Sequence, residues 1–500
     1  MTEKLAQLKS LLHEIMDLQT ATALLGWDQQ TYMPRGGAED RGYALATLSR
    51  LTHQKITSPQ LGQLLEDLQS EAASLDPDAD DARLVKVCAR EYKKRALVPT
   101  SFVAEFAMTT ALAHSAWEEA RRASDFAAFQ PHLEKVVALR RAYAGFFAPY
   151  THIYDPLLDD FEPGMKTADV QAIFNQVRPV QVALLQAIRA RPQVDAAFLG
   201  LAYDEKAQWD FGVEVITRFG YDWNHGRQDR SAHPFTQGFG LGDVRITTRF
   251  ETNRVATALF GTMHEAGHAL YDLGHARTLS RTPLANGASM ALHESQSRMW
   301  ENLVGRSLPF WKYYFPRFKE YFPSQVGNVD LMTFYRGINR VEPSFIRVEA
   351  DEATYNLHIM LRLELEIALM EGSLAVKDLP AAWNSKMQEY VGITPPDDRR
   401  GVLQDVHWSG GMIGYFPTYA LGNLVSAQLW EVIRRDIPDL DEHIASGDFA
   451  GLLAWLRSHI HSVGAKFEPQ ELIQKVTGSK IDPQPYLRDL QAKYQEIYHL

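Results

Sequence analysis

The residues best suited to chemistry stand close together in the stretch RVATALFGTMHEAGHALYDLGHARTL. Its His264 and His268 are four positions apart, so on a helix both imidazoles project from one side. Two imidazoles so placed can hold one Zn²⁺, and Glu265 then lies beside the metal, able to take a proton from bound water. The stretch therefore predicts metal-assisted hydrolysis. The alternative interpretation is a pair of ordinary histidines on a helix.

A catalytic zinc also needs a third protein ligand and one open position. The extended pattern, in which a glycine and a third histidine follow on the same helix, is absent because Tyr271 and Gly274 occupy those positions. His275 is one residue out of register. The next segment, ASMALHESQSRMWENLVG, predicts a helix that can supply the ligand. Its candidates are His293, Glu294 and Glu301. Spacing does not choose among them, since Glu294 could instead pair with Arg298 on the surface.

The elements that must position these residues are predicted to be helices almost throughout. Apolar residues recur at three- and four-residue spacing in residues 100–123, 129–150, 354–372 and 452–467. For the helix that carries the histidines, Thr252 or Asn253 is the predicted N-cap and Gly274 the end. Only DVRITTRFE alternates with a period of two, which predicts a strand.

No long or biased linker divides the chain, so we predict one catalytic domain over residues 1–500, with two lobes around a groove. The predicted fold class is mostly α, with a small β-sheet. The net charge of −11 comes from intermixed acidic and basic residues, which argues against nucleic acid as a partner. Cys88 is the only cysteine, so neither an intrachain disulfide nor a cysteine-based zinc site is available. The charged N-terminal helix is unlike a signal peptide, and no apolar stretch reaches the length of a membrane span. We therefore predict a cytoplasmic protein without a membrane partner.

Five further motifs accompany the HEAGH segment. They are H-P-F at 233–235, D-x-R-x-T at 243–247, H-E-S-Q at 293–296, I-R-x-x-A-D at 346–351 and G-x-x-Q-D-x-H-W at 401–408. With these motifs the sequence resembles the metallocarboxypeptidases of the carboxypeptidase Taq family, relatives of the helical neurolysin-like gluzincins. LGWDQQTYMP and GYFPTY are also similar to segments of that family, so the likeness runs nearly end to end.

The resemblance implies a helical gluzincin fold with a deep central groove, a homodimer, and removal of single residues from the C-termini of peptides. It implies that Glu294 completes the ligand set with His264 and His268, and that Glu265 is the general base. Members of the family often work with Co²⁺ as well as Zn²⁺. Imidazole and carboxylate ligands suit either ion.

Amide hydrolysis further needs a neutral donor for the oxygen that becomes negatively charged. His407, Tyr415 and Tyr419 are the candidates, because QDVHW and GYFPTY combine such donors with glycines that allow tight turns. The alternative for each is a buried ring whose polar tip is satisfied within the protein.

An exopeptidase must also bind a terminal carboxylate, which a guanidinium meets with two parallel hydrogen bonds. Arg347 is the first candidate, followed by Arg245 and Arg298. The alternative for Arg347 is an internal pair with Glu349 or Asp351.

Other residues are predicted to support binding. His233 of the H-P-F motif is a candidate contact for the substrate. Asp351, Asp405 and Glu301 are candidates to orient the ligand imidazoles. The strand of residues 245–248 could pair with an extended peptide, unless it is a plain solvent edge.

Two other functions fit the same residues. The helical gluzincin plan also supports endo-oligopeptidases, which cleave inside a peptide and need no carboxylate site. A non-catalytic helical scaffold that merely holds a metal is the second alternative. Glu265 argues against the scaffold, because a structural metal site needs no base.

Overall fold

The computed structural model describes residues 2–500, and α-helices make up most of them. Towards the N-terminus they are α1 (Thr2–Thr31), α2 (Ala38–Ile56), α3 (Pro59–Ala72), α4 (Asp80–Ala96), α5 (Thr100–Ala123), α6 (Phe126–Gly145), α7 (Asp155–Leu158) and α8 (Thr167–Arg189). In the middle of the chain they are α9 (Glu205–Phe219), α10 (Val255–Asp272), α11 (Met290–Arg298), α12 (Leu308–Tyr321), α13 (Pro323–Val326) and α14 (Leu331–Ile338). The remainder are α15 (Glu352–Glu371), α16 (Leu379–Tyr390), α17 (Pro417–Asp436), α18 (Leu440–Ala445), α19 (Ala450–His459), α20 (Pro469–Thr477) and α21 (Gln484–Tyr498). A π-helical turn, Met299–Val304, continues α11.

The helices agree with the predicted ones except at some ends. The predicted helices at 100–123 and 354–372 are α5 and α15. The one predicted over 452–467 stops at His459, because Ile460 leaves helical dihedrals with a φ of −121°. A 3-10 stretch follows, in which Gly464 adopts a φ of 52° against the Leu284 carbonyl. The predicted N-cap of α10 is also wrong, whereas the predicted end at Gly274 agrees with a C-cap at Leu273. The Thr252 carbonyl accepts a hydrogen bond from the Tyr203 amide at 2.6 Å, and α10 begins only at Val255.

The sheet of the described residues is small and has the strand order β1-β3-β2, with β1 (Gln228–Arg230), β2 (Thr236–Gly238) and β3 (Val244–Thr248). β1 runs parallel to β3 and β2 antiparallel to it, with Ile246 opposite both Gln228 and Thr236. The predicted strand is thus real but central, paired along both sides. Neither a peptide nor solvent can occupy its edge, so both interpretations of that edge were wrong. The edge strand whose residues line the cleft is β2.

The interior is formed mainly by long helices that other helices cover on all sides. α15 and α17 are buried along nearly their whole length, and their buried residues include polar ones such as Arg362 and Asn423. A second, smaller core joins α1, α3 and α4 to Leu279 and Leu284 of the main body. No single helix among residues 2–500 is both long and apolar enough to cross a bilayer, although α4 and α5 would qualify as a bent pair.

A cleft of about 870 Å³ lies between the N-terminal helices and the main body. Its wall includes Leu12 of α1, Arg83 of α4, Gln237 of β2 and His293 of α11. The cleft reaches Asp272 and His293 beside the HEAGH segment, but His264, His268 and Glu294 are not part of its wall. The division into one domain of two lobes stays a prediction.

Candidate metal centre and catalytic groups

The close approach of α10 to α11 explains the glycine inside the HEAGH motif. A Cβ at Gly267 would lie 2.6 Å from the Cα of Ser297 and 2.7 Å from the carbonyl oxygen of Gln296. Gly422 of α17 is equally tight, since its Cβ would lie 2.7 Å from Cβ and Cγ of Glu294. The two glycines therefore allow α10 and α17 to pack closely against α11, the helix that carries Glu294.

Gly267→Ala should lower the free energy of unfolding by about 1–3 kcal/mol, because α11 backbone fills the space that the methyl group needs. Gly261→Ala is the matched control on the same helix, where a Cβ meets nothing within 4 Å. Alanine's higher helix propensity should make that variant more stable by up to about 1 kcal/mol. Urea unfolding measures both. Equal destabilisation of the two variants would contradict the close helix contact.

His264, His268 and Glu294 form a cluster whose ligand atoms all lie within 4.8 Å of one another. Oε2 of Glu294 is 3.7 Å from Nε2 of His264 and 3.6 Å from Nε2 of His268. Metal–ligand bonds of 2.0–2.2 Å in a tetrahedron give ligand separations of about 3.4 Å, so the three atoms fit one small divalent ion. Of the three sequence candidates for the third ligand, Glu294 is the one in this cluster.

Arg298 and one further carboxylate, Glu301, hold these ligands in place. Arg298 donates to Oε1 of Glu294 at 2.7 Å and to Oε2 of Glu301 at 2.9 Å. The same Glu301 oxygen lies 2.9 Å from Nδ1 of His264. The π-helical turn places Glu301 there, and such turns are frequent at functional sites. Two ligands are thus linked through Arg298 and Glu301.

The same contacts set the charge of the two glutamates. Burial favours the neutral acid, but Arg298 and the ligand histidines outweigh it and hold the pKa of Glu294 well below its usual range. For Glu301, Arg298 and His264 likewise overcome burial and lower the pKa to about 2. Both groups are carboxylates at neutral pH, as ligation and imidazole orientation require.

Glu265 points to the same region and is only 7% exposed. Its Oε2 accepts a hydrogen bond of 2.7 Å from the hydroxyl of Thr236, which also donates to the Glu265 carbonyl at 2.9 Å. Thr236 belongs to β2 and directly follows the H-P-F motif. One carboxylate oxygen is therefore fixed, and Oε1 is left for other partners.

The three predicted oxyanion donors lie together. Nε2 of His407 is 3.2 Å from the Tyr419 hydroxyl, and the ring centroids of Tyr415 and Tyr419 are 5.2 Å apart. Burial and the nearby arginines lower the pKa of His407 to about 3. Burial, reinforced by the charge of Glu294, raises the pKa of Tyr415 to about 12 and that of Tyr419 well above its usual value. All three are neutral near pH 7, as such donors should be.

The loops that carry these donors are joined by Glu366 of α15. This fully buried carboxylate accepts from Nε1 of Trp408 at 2.7 Å, from the Gly414 amide at 3.0 Å and from the Tyr154 hydroxyl at 2.6 Å. No motif in the sequence analysis includes Glu366. Nothing local distinguishes it, because α15 also carries other polar residues such as His358, Arg362 and Glu364.

The arginines differ from one another in their partners. Arg347 is 5% exposed and donates from Nε and Nη2 to Asp405 at 3.0 and 2.9 Å, not to Glu349 or Asp351. Its Nη1 reaches the Tyr355 hydroxyl at 3.1 Å. The internal partner suggested by local spacing was wrong, because Asp405 arrives from a distant loop.

The two reserve candidates for the carboxylate site are engaged elsewhere. Arg298 is held by the metal-site glutamates described above. Arg245 forms a double hydrogen bond with Asp243 at 2.9 and 2.7 Å, between the rings of Trp27 and Phe239. The guanidinium groups of both are already paired, as that of Arg347 is, so pairing alone does not choose among the three arginines.

The remaining predicted residues also differ in what they contact. His233 is exposed, and its charge acts on His407, so it lies towards the donor group. Of the three proposed partners of ligand imidazoles, only Glu301 touches one. Asp351 instead caps α15 by accepting from the amides of residues 353 and 354, and Asp405 pairs with arginines.

A histidine pair on one helix, met by a carboxylate on the next inside a helical body with a cleft, is the arrangement of a gluzincin metallopeptidase. The model of the carboxypeptidase Taq (M32) metallopeptidases matches residues 7–494, and the chain belongs to this family. The chain is 43% identical to thermostable carboxypeptidase 1 of Thermus thermophilus, with 96% of each sequence covered. It is 38% identical to carboxypeptidase 1 of Bacillus subtilis, with 98% of each covered. The crystal structure of the M32 carboxypeptidase from Deinococcus radiodurans superposes with a TM-score of 0.97 at 40% identity, over the full length of both chains.

These relatives confirm the predicted fold class and the metal-dependent carboxypeptidase activity. They favour that activity over an endo-oligopeptidase and over a non-catalytic scaffold. The family also implies a divalent metal, for which the cluster of His264, His268 and Glu294 offers a site.

Proposed function

We propose that the enzyme removes single C-terminal residues from peptides at a zinc ion held by His264, His268 and Glu294, with Glu265 as the general base. The observation that carries this proposal is the three-residue cluster, since its ligand atoms converge and Glu265 is the next residue after His264 on α10. Cobalt would fit the same imidazole and carboxylate ligands.

When bound, the ion lowers the pKa of a water molecule and polarises the scissile carbonyl. Glu265 takes the proton of the attacking water and passes it to the departing amine. The hydrogen bond from Thr236 fixes the carboxylate rotamer, so Oε1 is the oxygen that receives the proton. Arg298 and Glu301 keep Glu294 and His264 in position during this transfer.

The oxygen that becomes negatively charged is stabilised by neutral donors from Tyr419, Tyr415 and His407. Phenolic O–H groups suit this role because they are protonated at neutral pH, as the raised pKa values of both tyrosines require. Loss of one such donor typically costs about 3 kcal/mol of transition-state stabilisation.

The terminal carboxylate is bound near Arg347, and local charge supports this assignment. Arg347 and Arg362 both pair with the single carboxylate of Asp405, and His358 and His407 beside them are neutral because burial and the arginines lower the pKa of each to about 3. The buried group therefore carries one excess positive charge. An anion bound beside this group would compensate it, and every peptide with a free C-terminus supplies one there.

Arg347→Ala should reduce kcat/KM for peptides with a free C-terminus by about tenfold to more than a hundredfold. A lost charge-assisted hydrogen bond corresponds to about 1.5–3 kcal/mol, and a bidentate pair to more. Arg347→Lys should recover only part of this loss, because a point charge lacks the planar fork. Mass-spectrometric assay of matched free-acid and amidated peptides measures the effect.

Amidated peptides should already be poor substrates of the wild type, and Arg347→Ala should scarcely worsen them. The decisive quantity is thus the interaction between mutation and amidation. If the two losses simply multiply, Arg347 only supports Asp405 and the carboxylate is bound elsewhere. Rapid internal cleavage of amidated peptides by the wild type would contradict the exopeptidase proposal itself.

The enzyme is further proposed to act on peptides in the cytoplasm as a homodimer, as its likeness to the family suggests. Light scattering should then give twice the chain mass of 56.6 kDa. Elemental analysis of the purified protein identifies the metal.

A further inference from the structure

A chain of three side chains runs from the metal cluster into the protein. Nδ1 of His268 lies 2.6 Å from Nδ1 of His293, and Nε2 of His293 lies 3.0 Å from Oδ1 of Asp272. Asp272 follows His268 by one helical turn, so His264, His268 and Asp272 share one side of α10. His293 bridges the two α10 residues from the start of α11.

The hydrogen bonds along this chain follow from what each ring nitrogen faces. Nε2 of His268 faces Glu294 in the ligand cluster, so when this imidazole is a metal ligand its ring proton is on Nδ1. That N–H meets Nδ1 of His293, and Nε2 of His293 donates to Oδ1 of Asp272, because a carboxylate only accepts. The carboxylate of Asp272 thus ends a chain of hydrogen bonds that starts at the ligand ring.

We propose that Asp272 and His293 are positioning residues that fix the tautomer and the ring orientation of the metal ligand His268. The proposal rests on the ligand set given under Proposed function and goes beyond it. His264 is oriented directly by the carboxylate of Glu301, whereas the carboxylate for His268 acts through an intervening imidazole.

The residues around His293 restrict the position of its ring. A Cβ at Gly287 would lie 3.0 Å from Cδ2 of His293 and 2.9 Å from the ring of Tyr271, so only glycine leaves room there. The Tyr271 ring closes another side, with its centroid 5.1 Å from that of His293. His293 therefore has little freedom to turn away from His268.

Zinc affinity of the full chain, measured by competition with a chromophoric chelator, tests the proposal. His293→Phe keeps the ring volume and removes both nitrogens, and should weaken zinc binding by about 10- to 100-fold. Asp272→Ala should weaken it as well. In the double variant the loss should be no larger than in His293→Phe alone, because Asp272 acts only through His293. His293→Gln, whose amide oxygen can accept from His268, should retain more affinity than His293→Phe.

His275→Phe is the matched control. His275 contacts the same Tyr271 ring at 5.0 Å, but its Nδ1 bonds the Tyr271 carbonyl and not a ligand. It should leave zinc affinity unchanged. The Co²⁺-substituted protein gives a second measurement, since its visible absorption bands should shift in His293→Phe and not in His275→Phe.

Wild-type zinc affinity in either single variant, or losses that multiply in the double variant, would overturn the proposal. If His293→Phe fails to fold, Asp272→Ala and His293→Gln carry the test. His268→Ala shows whether a failure concerns the positioning role or the ligand set. If it abolishes zinc binding while His293→Phe does not weaken it, only the positioning role is wrong. If His268→Ala binds zinc normally, the ligand set itself is wrong.

Discussion

Glu265→Gln is expected to bind the metal as the wild type does while its kcat falls by about 10²- to 10⁴-fold. The amide is isosteric and keeps an oxygen for the Thr236 hydroxyl, so the local packing should survive. It cannot take a proton from water, and the step that generates the nucleophile is lost. Release of C-terminal residues and metal content are measured on the same preparation.

Thr236→Val is the matched control for this experiment. It removes the hydrogen bond to Glu265 but leaves the carboxylate, so its loss of kcat should be much smaller than that of Glu265→Gln. Near-normal turnover of Glu265→Gln with full metal content would refute the general-base assignment.

Glu294→Ala should leave the protein with well below one metal ion per chain and almost no activity. It removes one of three protein ligands, which should weaken binding more than the roughly 10- to 100-fold typical of a residue that only orients a ligand. The vacated space also leaves Arg298 with Glu301 as its one remaining carboxylate partner. Elemental analysis after dialysis gives the metal content, and addition of excess zinc should restore part of the activity.

Glu301→Gln provides the comparison. Glu301 touches His264 and Arg298 but lies outside the ligand cluster, so its loss should weaken metal binding less than the loss of Glu294. If the order of the two variants is reversed, or Glu294→Ala keeps its metal, Glu294 is not the third ligand.

Much of the fold was available from local sequence patterns. Helical periodicity located α5 and α15 well, because apolar spacing along one helix reflects which face is buried. The neighbours of a strand are not encoded locally, and the position of β3 between two short strands was therefore missed. β1 and β2 are only three residues long, and such short strands show too little alternation of polar and apolar residues to be recognised.

The same division holds for the site. The pairing of His264 with His268 and the position of Glu265 could be predicted from the sequence, because a helix fixes the relation of residues one turn apart. Three contacts could not: Glu294 facing both imidazoles, Arg347 meeting Asp405, and His293 connecting His268 to Asp272. These contacts join separate segments, and their distances depend on how closely helices pack. Gly267 and Gly422 allow this close packing because they have no side chain where the helices meet. The sequence shows the glycines but not which residues lie opposite them.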